Sequence, residues 1–137
     1  MLRGILFFLL FYTSCSVSDD PLQSDRWELS STYGYMTQTE QDASELPYTE
    51  TVEFVSDGLF LKTRFTQDES EIINGRWTTL TRDGRSGFLV TYAEDHPFIQ
   101  NCTMEPQEFY FPQQGRLIQS DYTPCDGPEY RYVRAGD

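Results

Sequence analysis

From Arg26 onward, short aromatic or β-branched runs alternate with turn signals, and no long stretch carries helical periodicity. That pattern predicts an all-β barrel or sandwich. The runs fall at 27–30, 49–56, 59–66, 72–81, 86–93, 102–111, 116–123 and 129–134, which makes eight strands. The polar stretch from Ser31 to Pro47 is expected to be a lid-like loop with a short helix. A chain of 137 residues has the size of one domain. It carries 22 acidic against 10 basic residues, a net charge of −12. That balance excludes nucleic acid as a partner, because a phosphate backbone needs a Lys/Arg footprint. An aromatic fraction of 15% separates the chain from disordered acidic sequences, which are poor in such residues.

Three turns suggest a strand register. Asp57-Gly58 suits a two-residue loop, which would set Phe54 opposite Leu61 and Glu53 opposite Lys62. Opposite charges facing each other support that pairing. Asp83-Gly84 would set Trp77 opposite Val90 and Thr79 opposite Phe88, with Trp77, Phe88, Val90 and Tyr92 on one inner face. A third turn centred on Gln113-Gln114 would bring Cys102 opposite Cys125. A bulge at Gly115 or the break at Pro106 would shift that register by one. Tyr130 and Tyr132 share a face of the last strand.

The N-terminus has the layout of a secretory signal: Arg3, then an apolar run from Ile5 to Tyr12, then small residues. The run is shorter than the ~20 residues that span a bilayer. Thr13-Ser14-Cys15 resembles the lipobox of bacterial lipoproteins, although Tyr12 stands where a leucine is usual. The resemblance implies a signal peptide at 1–14 and a lipidated tether at 15–25, leaving 26–137 as the barrel domain. The acyl groups, palmitate among them, would be the membrane contact. Ser16-Val17-Ser18-Asp19-Asp20 resembles the tether of Bacteroidetes lipoproteins sent to the cell surface, which implies an outer-membrane, surface-exposed location in the cell envelope. The alternative is an ordinary cleaved signal with a free or disulfide-bonded Cys15. Of the three cysteines, lipidation takes Cys15 and leaves Cys102 with Cys125, since an exported chain tends to pair its cysteines.

The chain as a whole resembles the lipocalin-like domain of Bacteroidetes lipoproteins. The residues that carry the likeness are Trp27, the F-x-x-D-G of Phe54 to Gly58, Gly75-Arg76-Trp77, and the C-D-G-P-x-Y-x-Y of Cys125 to Tyr132. It implies an eight-stranded, mostly antiparallel up-and-down barrel, and no catalytic residues.

Catalytic and metal-binding patterns are missing. The single histidine, His96, has no ligand-spaced partner. No G-x-S-x-G elbow, calcium loop or phosphate loop occurs. The expectation is therefore a protein that is not an enzyme and needs no cofactor or metal. It would be a lipid-anchored binding module. A small apolar or amphipathic ligand would be lined by Phe54, Leu61, Trp77, Phe88, Val90 and Tyr92 in a barrel with room for one such molecule. The alternative is a protein-interaction or enzyme-inhibitor lipoprotein, whose acidic surface suits a basic protein partner.

Overall fold

The computed structural model describes residues 24–136. The expected signal peptide, Cys15 and the expected tether as far as residue 23 lie outside them. Nine strands form one antiparallel sheet: β1 (Ser24–Gly34), β2 (Thr39–Asp42), β3 (Thr49–Val55), β4 (Leu59–Phe65), β5 (Ser70–Arg82), β6 (Arg85–Tyr92), β7 (Gln107–Gln113), β8 (Arg116–Gln119) and β9 (Glu129–Arg134). Eight of them close on themselves, because β9 pairs with β1. The fold is the closed eight-stranded antiparallel barrel expected from the alternation and the resemblance. Closure leaves no long sheet edge open to another chain.

The Ser31–Pro47 stretch is more ordered than a lid-like loop. β1 runs on to Gly34, and β2 pairs with its second half along the edge that β3 vacates. A one-turn 3-10 helix follows at Ala43–Glu45, capped reciprocally by Asp42 and Glu45. Ser24 and Asp25, expected in the tether, belong to β1 and pair with Val55 and Phe54.

Turn chemistry decides the register of each hairpin. At Asp83-Gly84 both residues take positive φ, 51° and 75°. This is the expected two-residue loop, and Trp77 pairs with Val90 and Thr79 with Phe88. At Ser56-Asp57-Gly58 only the glycine does, at φ 90°. The Asp57 carboxylate accepts from Leu59 N at 2.9 Å, and Gly58 N donates to Val55 O. Three residues therefore span the turn, and the register slips by one: Phe54 pairs with Phe60, Val52 with Lys62 and Glu50 with Arg64. A one-residue slip exchanges the faces of a strand. Phe60, Lys62 and Arg64 turn inward, while Leu61, expected inside, faces outward opposite Glu53. In the third hairpin the central residues are Gln114 and Gly115, so Phe111 pairs with Ile118.

The Cys102–Cys125 disulfide is present, with Cα atoms 5.7 Å apart. It does not arise from that hairpin's ladder. Cys102 lies in the loop before β7, and Cys125 closes a 3-10 turn (Thr123–Cys125) after β8. The bridge ties two loops together.

The turns at 56–58, 83–84 and 114–115 lie toward one end of the barrel, the turn end, where β1 begins and β9 finishes. The long connections 43–48, 66–69, 93–106 and 120–128 gather at the other, the loop end. The interior toward the turn end is aromatic: Phe54, Phe60, Trp77, Phe88 and Tyr110 interlock with ring centroids 4.9–6.0 Å apart. Arg134 stacks over Trp27 at 4.7 Å and pairs with Asp25 at 2.6 Å, covering this layer. On the outside, Phe109 packs across Gly87; a Cβ there would run into the Tyr110 carbonyl and the Phe109 ring.

Candidate functional site at the capped loop end

Below the aromatic layer the barrel interior is ionic. Glu108, fully buried on β7, accepts from Lys62 Nζ at 2.8 and 2.9 Å. It also accepts from the hydroxyls of Tyr92 and Tyr110 and from Gln119 Nε2. A second pair joins Glu50 to Arg64 at 2.7 Å, and Tyr132 donates to Glu50 at 2.6 Å. Burial first, then the neighbouring carboxylates, pushes the Tyr92, Tyr110 and Tyr132 phenols well above their ordinary pKa. They stay protonated and serve as donors.

The loop 93–106 completes this network with its backbone. Phe98 O accepts from Lys62 Nζ at 3.1 Å, and Gln100 N donates to Glu108 at 2.9 Å. Gln119 Nε2 donates to Gln100 O at 2.6 Å. The Arg64 guanidinium lies between the rings of Tyr48 and Phe98, 3.9 and 4.3 Å away. His96 pairs through Nε2 with Glu71 at 2.8 Å on the surface, while its Nδ1 accepts from Phe98 N. The loop is thus held at His96, over the ion pairs, and at Cys102 by the disulfide. Loops fixed on a rigid scaffold in this way are the usual place for recognition.

A groove of about 510 Å³ runs over the outside of the barrel from the disulfide loops to the β5–β6 turn. Its floor is Phe109 and Phe111, with Arg82 stacked over the first at 4.9 Å and Arg85 over the second at 4.6 Å. Asp121 accepts from Phe109 N at 2.6 Å and lies 3.4 Å from Arg82. Arg85 has no carboxylate partner among the described residues. Stacked guanidiniums keep their in-plane N–H groups free for an acceptor.

Burial raises the Asp121 carboxyl above the ordinary aspartate range, against the lowering by the Phe109 N–H and by Arg82. A raised folded-state pKa means that the native state holds this proton better than the unfolded chain does. The contribution is present below the unfolded pKa, about 3.9, and is lost as pH rises through the folded value. Asp121→Asn is therefore expected to gain on the wild type as pH rises from about 3 to about 6. Urea midpoints across that range test this; a constant difference would show that burial does not govern this carboxylate.

Of the residues expected to line a ligand cavity, Phe54, Trp77, Phe88, Val90 and Tyr92 do lie on the inner face, but they pack against one another and the core. Leu61 is outside. The residues that organise the loop end, Glu50, Lys62, Arg64 and Glu108, carry a period-2 signal: each shares parity with an inward aromatic or valine on its own strand.

Fold and site together define a one-disulfide antiparallel barrel whose interior is filled by aromatic and ionic layers and whose loop end is fixed in place. Comparisons with family models, curated proteins and solved structures find no match for the chain.

Proposed function

We propose that this protein is a lipid-anchored binding module of a bacterial cell envelope, resembling the lipocalin-like lipoproteins of Bacteroidetes, that meets a protein partner through its loop end. It is an accessory or inhibitor and catalyses no reaction. The observation that carries this reading is the filled interior. Val52, Phe60, Val90, Tyr110 and Leu117 each have 0% exposure, and ion pairs occupy the space below them. Recognition is left to the outside. The loop end presents exposed Asp68, Glu69, Glu71, Glu94, Asp95 and Glu105, while Lys62 and Arg64 are committed to internal pairs. Such a surface steers a basic partner at low salt.

The test is intact and native mass spectrometry on protein purified from its own envelope, followed by cross-linking. The expected result is acyl mass on Cys15, one disulfide and no retained small molecule. Cross-links to a basic protein should disappear in Glu69→Lys/Glu94→Lys. A barrel that emerges with a stoichiometric small molecule would overturn the reading in favour of ligand carriage.

A further inference from the structure

We propose that the turn end of the barrel is a docking surface for an anionic lipid bilayer. The chain is strongly acidic, yet its exposed cations are gathered in one place. Among the described residues the exposed ones are Arg26, Arg76, Arg85, Arg116 and Arg134. Arg26 is near the start of β1; Arg76 pairs with Leu59, the first residue of β4; Arg85 and Arg116 open β6 and β8; Arg134 closes β9. Arg26, Arg85, Arg116 and Arg134 are at the turn end, and Arg76, midway along β5, reaches the 56–58 turn by donating to Asp57 O at 3.2 Å. The carboxylates beside them are Asp25, paired with Arg134; Glu40, 3.7 Å from Arg116; Glu53, opposite Arg26 on β3; Asp57, which caps Leu59 N; and Asp83. Arg76 and Arg85 are left without an ion-pair partner among the described residues. The exposed acids of the loop end have no exposed cation beside them among the described residues.

Two of these arginines, Arg116 and Arg134, stand with Asp25 at an apolar opening. A cleft of about 460 Å³ is floored by Trp27, Phe88, Pro112 and Leu117, with Arg116 and Arg134 at its rim. Guanidiniums around an apolar floor match phosphate headgroups over acyl chains. β1 also starts at this end with Ser24, nine residues after Cys15. That length spans at most about 30 Å. An anchor on Cys15 therefore holds the turn end toward the bilayer and points the acidic loop end away from it. The orientation rests on the anchor reading; the charge match does not.

The experiment uses the mature lipoprotein on vesicles of phosphatidylcholine alone or mixed with phosphatidylglycerol, with amide hydrogen exchange as the readout. The turns 56–58, 83–84 and 114–115 should exchange more slowly on the anionic vesicles, and 66–69 should not change. Each arginine near an anionic surface contributes roughly fivefold in binding. Arg26→Glu/Arg85→Glu/Arg116→Glu, all at exposed positions, should abolish the difference, as should about 0.5 M salt. An acylated chain with equal exchange on both vesicles overturns the docking and leaves the anchor standing. A chain with no acyl mass that is protected at the turns only on anionic vesicles refutes the anchor and supports the docking.

Discussion

Lys62→Met is expected to cost about 3–5 kcal/mol of folding stability, because it leaves the Glu108 carboxylate buried beside no cation. Lys62 and Glu108 are 1% and 0% exposed, so neither charge recovers solvation when its partner is removed. Glu108 keeps its hydrogen bonds from Tyr92, Tyr110, Gln100 and Gln119. Those neutral donors reduce the penalty without cancelling it. A domain of this size has only about 5–15 kcal/mol in total, so the variant stands close to unfolding at ambient temperature. The double variant Lys62→Met/Glu108→Gln removes both charges and keeps an acceptor for the tyrosines. It should recover about 2 kcal/mol or more, since the loss comes from an uncompensated charge rather than a missing contact. The outer pair Arg134–Asp25 is a contrast. Its side chains are 53% and 38% exposed, and removing it should cost less than about 1 kcal/mol. Urea denaturation of the four proteins gives the comparison. If Lys62→Met costs less than about 1 kcal/mol, the interior is wet enough to solvate Glu108, and the filled-barrel reading loses its basis.

The barrel class and its eight closing strands were legible because alternation and turn residues are local, whereas β2, within the stretch expected as a loop, was not, and the hairpin register depended on a backbone detail. Asp-Gly occurs twice. At Asp83-Gly84 both residues adopt positive φ, but at Asp57 the carboxylate binds Leu59 N and a third residue joins the loop. The sequence around Asp57 permits both outcomes. Placing Glu53 opposite Lys62 satisfied a plausible charge rule and hid the alternative. In the observed register the charges that matter are Glu50 with Arg64, directly opposite, and Lys62 with Glu108, far apart in sequence. Parity alone would have found them, since Glu50 shares its face with Val52 and Phe54, and Lys62 with Phe60. Ion pairs inside a barrel run against the expectation that charges lie outside. The cap over them was not legible at all: it uses the carbonyl of Phe98 and the N–H of Gln100, which every residue type carries. The cysteine pairing was anticipated, but the bridge comes from loop geometry and not from the strand ladder.

Because the bridge is between loops, removing it should loosen the cap before the barrel. Cys102→Ser/Cys125→Ser opens a loop with a sequence separation of 23, worth roughly 3 kcal/mol in the chain-entropy model. For a domain of about a hundred residues that corresponds to a fall in melting temperature of roughly 10 °C or more. The bridge joins connections outside the ladders of β3 to β6, which need not move. The segment 97–101 is different: it is fixed by His96–Glu71 on one side and by the disulfide on the other. With one fixture gone, Phe98 O and Gln100 N leave Lys62 and Glu108 more often, and water reaches the ion pair. Amide exchange should therefore accelerate first at 97–101 and 120–128, with strands β3 to β6 following only at the global unfolding free energy. Water entering through the loosened cap also solvates an unpaired Glu108, so Lys62→Met should cost less in the disulfide-free background than in the wild type. This coupling separates a structural cap from a simple staple. Strict additivity of the two changes, with uniform acceleration of exchange, would show that the bridge acts on the unfolded chain alone.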